Sequence, residues 1–213
     1  MILNIYKPKG ISSFSVVKAV KRITREKKVG HGGTLDPFAE GVLIVGTGKD
    51  TKVLGSITNH QKSYEASLIL GKTTNTLDPE GEIISANSVP DINENQIISV
   101  LNSFIGFTYQ IPPMFSAKKV NGIKLYKLAR KNIEIPRKPI EIHIEKISLI
   151  EYSSNRIKFF IKCSKGTYIR VVGKDIAEKL GTIGYLETLI RKSVGKYSLD
   201  DAQTIEDLQG VWK

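Results

Sequence analysis

The sequence predicts an α+β fold from three observations. Val16, Val17, Val20 and Ile23 recur at the spacing of one helix face, whereas residues 63–70 alternate as a strand does and 156–163 also reads as a strand. The 213 residues are 40% hydrophobic and 25% charged with no low-complexity tract, a composition that supports a packed core of this mixed kind. No linker, composition shift or fixed-period repeat divides the chain, so it reads as one principal domain over 1–213.

The elements follow in order. Ser12 or Ser13 caps a basic amphipathic helix ending near Lys28. After a glycine-rich loop, 41–45 reads as a buried strand, 51–57 as a short helix and 63–70 as a strand that begins at Tyr64's end. Asp91 can cap a helix that carries Ile97, Ile98, Leu101 and Phe104. Residues 110–115 read as a loop and 123–131 as a short basic helix. Strands are expected over 140–150 and 156–163, a helix over 167–180, and a short apolar packing segment over 186–190.

Composition excludes several classes of function. No apolar run approaches the roughly 20 residues of a membrane span, and the start Met1-Ile2-Leu3-Asn4 lacks the layout of a signal peptide, so a cytoplasmic protein with no membrane partner is expected. Cys163 is the only cysteine and His31, His60 and His143 are scattered, which argues against a disulfide or a metal centre. The net charge of +11 is uneven: 114–174 holds fifteen Lys or Arg against four Glu, and the rest of the chain balances at seventeen of each sign. A second basic cluster, eight residues against Glu26, spans 7–28. Any single lysine of this kind is ordinary solvated surface, but the two clusters together point to a polyanion. Residues 110–138 combine Pro112, Pro113, Pro136 and Pro139 with this charge, either as a semi-independent arm or as a plain surface excursion.

One carboxylate stands out. In Gly30-His31-Gly32-Gly33-Thr34-Leu35-Asp36-Pro37 the glycines let the backbone approach a ligand or another strand closely, and Pro37 biases Asp36 away from helix. The same pattern also suits a turn whose Asp bonds its own backbone, and pattern alone leaves both readings open. The stretch lacks the last glycine of a dinucleotide fingerprint, Gly48-Lys49 is not a phosphate loop, and no nucleophile elbow or glycosidase-like carboxylate pair is present.

The Asp36 loop, Lys62-Ser63-Tyr64-Glu65-Ala66 and Lys165-Gly166-Thr167-Tyr168-Ile169-Arg170 resemble, in that order, the motifs of pseudouridine synthases. Lys7-Pro8-Lys9-Gly10-Ile11-Ser12-Ser13 and Ile111-Pro112-Pro113-Met114-Phe115-Ser116-Ala117 narrow the resemblance to the bacterial TruB type, which acts on uridine 55 in the T-loop of tRNA. It runs from Ile2 to about Trp212 over five separated motifs.

The resemblance implies a mixed, mostly antiparallel sheet flanked by helices, with an RNA-gripping thumb insertion over about 110–138. The implied reaction isomerises uridine to pseudouridine in flipped-out RNA, exchanging the ribose bond from N1 to C5 of the base, with no cofactor and no metal. Asp36 matches the catalytic nucleophile, acting on the ribose anomeric carbon or, alternatively, on the base; a carboxylate suits the first role because it can capture an electron-poor ribose carbon and leave again. Arg170 matches the arginine paired with that aspartate, and Tyr64 the tyrosine that stacks on the flipped base and is a candidate for proton transfer. Tyr168 and Leu189 match pocket residues. His31 matches the histidine that enters the T-loop stack, and Lys52 a lysine touching RNA near the site. In the thumb, Lys118, Lys119, Lys124, Lys127, Arg130 and Lys131 are expected on phosphates, so tRNA binding should weaken steeply with salt.

The implied partner is the T-arm and elbow of tRNA, bound by a monomer with no obligatory protein partner. Family members usually continue into a C-terminal RNA-binding domain of the PUA type. No such domain follows Lys213, as in a truncated or a naturally minimal form, and an active enzyme with a weaker grip on tRNA is expected. Two other readings remain: a tRNA-folding chaperone without chemistry, and a pseudouridine synthase for another RNA.

Overall fold

A computed structural model describes residues 1–212. Strand β1 (Ile2–Lys7) leads to helix α1 (Ser13–Thr24), whose N-cap Ser12 accepts from the Ser15 amide; the helix stops before Lys28 because Arg25 turns left-handed at φ 56°. Next come β2 (Val29–His31), β3 (Glu40–Thr47), a 3-10 turn (Gly48–Val53), α2 (Leu54–Thr58) and β4 (Lys62–Leu70). A hairpin of β5 (Lys72–Thr74) and β6 (Ile83–Ala86) precedes α3 (Glu94–Asn102). The cap of α3 is Asn93, not Asp91, because Asn93 and Gln96 close a reciprocal capping box.

Strand β7 (Gly106–Gln110) enters the proline-rich segment, where β8 (Lys119–Val120) and β9 (Ile123–Lys124) form a hairpin ahead of α4 (Leu125–Ala129). Long strands β10 (Ile140–Ser153) and β11 (Arg156–Cys163) follow, then α5 (Ile169–Lys179). The expected packing segment at 186–190 is the middle of an 11-residue strand, β12 (Gly184–Val194). The chain ends with β13 (Tyr197–Ser198) and α6 (Ile205–Val211).

These elements form two compact units, residues 1–65 with 189–213 and residues 66–188; β4 and β12 each have residues in both. In the first unit β1, β2 and β3 pair antiparallel, whereas β12 joins β3 in parallel through Ile190 and Arg191. Strand β3 is buried on both faces, which accounts for its uninterrupted apolar run: Leu43 and Val45 pack with Ile5, Val16, Val20 and Leu208, while Val42 and Ile44 pack with Leu54, Ile57 and Val194.

In the second unit β10 pairs antiparallel with both β11 and β7. Ile157, Phe159, Ile161 and Cys163 bury one face of β11 with a period of two, in the segment expected to be a strand. The sheet pairings are mixed and mostly antiparallel, as expected. Among the described residues no helix is long and apolar enough to cross a membrane.

Candidate active site

In the first unit, β2 and β3 hold the two ends of the Asp36 loop, and Gly32 donates to Ile44 O at 2.8 Å. Leu35, Phe38 and Ala39 are buried on either side of Asp36, which leaves its side chain half-buried at the loop's crest. The backbone around it is fastened from three directions. The Ser13 hydroxyl donates to Leu35 O at 2.9 Å and accepts from Leu35 N at 2.8 Å, so one side chain satisfies both polar groups of the residue before Asp36. Lys7 Nζ donates to Pro8 O, Ile11 O and, at 3.3 Å, Pro37 O, which also accepts from Gly10 N at 2.8 Å. Arg191 donates to Val42 O at 2.7 Å and to Gly33 O and Thr34 O at 3.3 Å.

The exit from the loop depends on a glycine. Gly41 sits at φ 107° opposite Arg191, and a Cβ there would collide with the Arg191 carbonyl. Only a residue without a side chain lets β12 approach β3 at the point where the loop ends. Glu40, immediately before it, accepts from the Tyr6 hydroxyl at 2.6 Å, and that bond pushes the Tyr6 pKa up to about 12, with burial and the Glu40 charge adding to it.

Other expected site residues lie on the same unit. Tyr64 is a buried residue of β4, between Ser63, whose hydroxyl meets Ser193 at 2.6 Å, and Glu65, which pairs with Lys192 at 3.4 Å. Leu189 is buried on β12, next to the Ile190–Glu40 pairing. His31 is half-buried on β2 opposite Val45, and Lys52 is exposed in the 3-10 turn.

In the second unit, Tyr168 is the N-cap of α5 and half-buried. Its backbone is read by one buried side chain, since Gln110 Oε1 accepts from Tyr168 N at 2.8 Å and Gln110 Nε2 donates to Tyr168 O at 3.2 Å. Arg170 is buried, donating through Nη1 to Thr76 O at 2.6 Å and through Nη2 to Phe115 O at 2.7 Å. Within this unit its carboxylate partner is Asp78, at 3.1 Å. Asp78 Oδ1 in turn accepts from Thr76 Oγ1 at 2.6 Å and Glu80 N at 3.0 Å.

Asp78 and the loop fasteners Ser13, Lys7 and Arg191 were not among the residues singled out from sequence. A signal for Asp78 was available: the chain contains Thr-Leu-Asp-Pro twice, as Thr34-Leu35-Asp36-Pro37 and Thr76-Leu77-Asp78-Pro79. The charge argument also needs a correction, because Lys7 and Arg170, counted in the basic excess, are 0% and 3% exposed, Lys7 donating to backbone carbonyls and Arg170 to backbone carbonyls and to Asp78.

The rest of the 110–138 segment keeps its charge outside. Lys119, Lys127, Arg130 and Lys131 are exposed and Lys118 and Lys124 half-exposed, with Lys124 and Arg130 placed 5.7 and 5.4 Å from the Tyr126 ring. Leu125 is its buried pin, and its amide donates to Lys118 O at 2.8 Å. An open cleft of about 790 Å³ runs beside this segment, lined by Thr76, Tyr109, Met114, Phe115, Arg137 and Lys174 among others. No group of three or more His, Cys, Asp or Glu placed to hold a metal occurs among the described residues.

Comparison with known proteins agrees with the motifs. Residues 21–169 match the family model for the N-terminal domain of TruB family pseudouridylate synthases. The tRNA pseudouridine synthase B of Clostridium acetobutylicum is 47% identical over 207 residues, which is 97% of this chain and 71% of that protein. The enzyme of the same name from Clostridium tetani is 43% identical over 97% of this chain and 72% of its own length. Among solved structures, a chain of a Cbf5-Nop10-Gar1 complex superposes with a TM-score of 0.78 at 29% identity, covering 98% of this chain and 53% of that one. A chain of an H/ACA RNP bound to a substrate RNA containing 2'-deoxyuridine gives 0.73 at 26% identity, over 98% of this chain. This chain thus spans about half the length of that solved chain, covering 52% of it.

Proposed function

This chain belongs to the TruB family of pseudouridylate synthases, and from that premise we propose that it isomerises uridine 55 in the T-loop of tRNA to pseudouridine, as a cytoplasmic monomer that needs no cofactor. The observation that carries the proposal is the fastening of the Asp36 loop. Ser13, Lys7 and Arg191 bind the backbone before and after Asp36, so its carboxylate is presented with little freedom to reorient. Such preorganisation is what a group needs when it must meet a reacting carbon at one angle.

In the reaction we assign, an Asp36 carboxylate oxygen bonds to the ribose anomeric carbon as the bond to N1 breaks, and the electron pair leaves with the uracil. The base then turns, C5 attacks the anomeric carbon, and Asp36 departs as a carboxylate. The proton on C5 is lost last, with Tyr64 as the candidate to move it, and N1 takes up a proton, so that the product has the same atoms as the starting uridine. Extruding the nucleotide costs a few kcal/mol, and stacking on an aromatic ring returns about 1–3 kcal/mol per base. Tyr64 stacking and His31 insertion together offset most of that cost.

Tyr168, Arg170 and Leu189 enter through the motif match. The exposed lysines of 110–138, with Lys52, supply phosphate contacts to the T-arm and elbow, which give affinity more than sequence choice. The test is release of tritium from C5-labelled tRNA transcript. Wild-type protein releases label and Asp36→Asn does so on the order of a thousandfold more slowly, while both bind tRNA alike. Binding without release by wild type would instead indicate a tRNA chaperone, and release only from other RNAs would move the substrate elsewhere.

A further inference from the structure

The outer face of α1 is not used by any step above. Its inner side buries Ser13, Val16, Val17, Val20 and Thr24, and its outer side exposes Phe14, Lys18, Lys21, Arg22 and Arg25. No acidic residue lies on the helix. Phe14, Lys18 and Arg22 are spaced i, i+4, a step of about 6 Å along the axis, with Lys21 beside Arg22 and Arg25 following at the left-handed C-cap.

This stripe is oriented with respect to the catalytic loop. Its aromatic end follows Ser13, whose hydroxyl holds Leu35, so Phe14 stands at the end nearest Asp36. Phe14 is 60% exposed, and Lys18 Nζ lies 5.1 Å from its ring centre. An exposed ring attended by a cation suits a stacked base better than a core. At the other end the charge continues: Lys27 and Lys28 are exposed, and the Lys28 carbonyl accepts from Gly48 N at 2.8 Å, which brings up the exposed Lys49. The nearby carboxylates do not cancel this row. Glu26 is half-buried, Asp50 is held by the Met1 ammonium at 2.8 Å, and on α6, packed against α1 through Leu208, Asp207 turns back to the Thr204 amide at 3.0 Å, which leaves Glu206 as the opposing charge.

We propose that the outer face of α1 is a second RNA-binding surface, separate from the 110–138 segment, in which Lys18, Lys21, Arg22, Arg25 and Lys28 take the phosphates of an arm of the substrate RNA and Phe14 stacks on an unpaired base. The inference rests on the reading that the substrate is a structured RNA. It makes the helix a rail that leads the RNA towards the Asp36 loop.

The test uses the full chain and a tRNA transcript. In Lys18→Gln/Lys21→Gln/Arg22→Gln/Arg25→Gln, four neutralised contacts should lower the slope of log Kd against log salt by about 3, and KM should rise at least about tenfold while kcat at saturating tRNA stays near wild type. Phe14→Ala should weaken binding about 5- to 100-fold, the equivalent of one lost stacking contact, and Phe14→Tyr should restore it. The substituted side chains are exposed, so unchanged melting temperatures serve as the control for folding. A wild-type salt slope and KM in the quadruple variant, in a background where wild type releases label, would overturn the inference and leave the proposed activity standing. Absence of label release by wild type, with the salt slope still lowered in the quadruple variant, would overturn the activity and leave the surface standing; absence of tRNA binding by wild type would overturn both.

Discussion

The Arg170 guanidinium and the Asp78 carboxylate meet at 3.1 Å with only 4% of either side chain exposed. Two charges at that depth hold each other in place, and removing one takes a charged partner from the other in a buried setting. The guanidinium also donates to Thr76 O and Phe115 O, so the pair ties α5 to the turn after β5 and to the root of the 110–138 segment.

Asp78→Asn is therefore expected to destabilise the fold by about 3 kcal/mol or more and to slow tritium release at the same time. Denaturant unfolding and a single-turnover assay, both at neutral pH, separate the two effects. Equal stability in the variant would mean that the buried pair is not needed to hold α5 and the turn together. The double variant Asp78→Asn with Arg170→Met is predicted to recover part of the stability and none of the activity, because a neutral pair removes the buried charge but cannot supply the guanidinium.

Ser13→Ala strips both backbone partners from Leu35 without touching the carboxylate. Leu35 is buried, so its amide and carbonyl lose their hydrogen bonds in a place that water reaches poorly; each such loss costs about 1–3 kcal/mol. Turnover at saturating tRNA should fall about ten- to a hundredfold as the loop loosens, with tRNA affinity held within about twofold. Ser13→Thr, which keeps the hydroxyl, should recover a large part of kcat. If kcat in Ser13→Ala equals wild type, the fastening is unnecessary for catalysis.

How much of this was legible in the sequence depended on whether the cause was local. The Asp36 loop could be read because glycines and a proline act on their own backbone, and α1 because its apolar spacing repeats within one helix. Strand β12 was misread because only Leu186, Leu189 and Ile190 looked apolar, whereas Arg191 is buried in the same strand and serves the Asp36 loop at Gly33, Thr34 and Val42. Nothing local marks an arginine as buried when its partners lie about 150 positions earlier. Lys7 and Arg170 were counted as surface charge for the same reason, and Asp78 was passed over because Asp-Pro before a glycine also reads as an ordinary turn. Asn93 is the cap in place of Asp91 because it is Asn93 and Gln96 that bond reciprocally; Asp91 followed by Glu94 shows the same local pattern, so sequence did not choose between them.

The hydrogen bond from Tyr6 to Glu40 gives a pH signature. The folded protein raises the Tyr6 pKa from 10.0 to about 12, first through the bond to Glu40, then through burial and the Glu40 charge. The phenol proton is thus held more tightly in the folded chain than in the unfolded one. Below pH 10 both states keep it and the bond contributes in full; between pH 10 and about 12 the unfolded chain releases it first, so stability falls as pH rises through that window. Tyr6→Phe cannot titrate, so the stability gap between wild type and Tyr6→Phe, measured by denaturant unfolding, should narrow steadily above pH 10, while other groups cancel in the comparison. Ultraviolet titration of the phenolate band, wild type minus Tyr6→Phe, isolates this one of the eight tyrosines and should show a midpoint near 12. Glu40→Gln removes the neighbouring charge and should bring that midpoint down towards 10. Because Glu40 opens β3 directly behind the Asp36 loop, the same variant should lower kcat modestly at neutral pH, where Tyr6 is un-ionised in either protein; a midpoint near 10 in wild type would show that the bond does not form in solution.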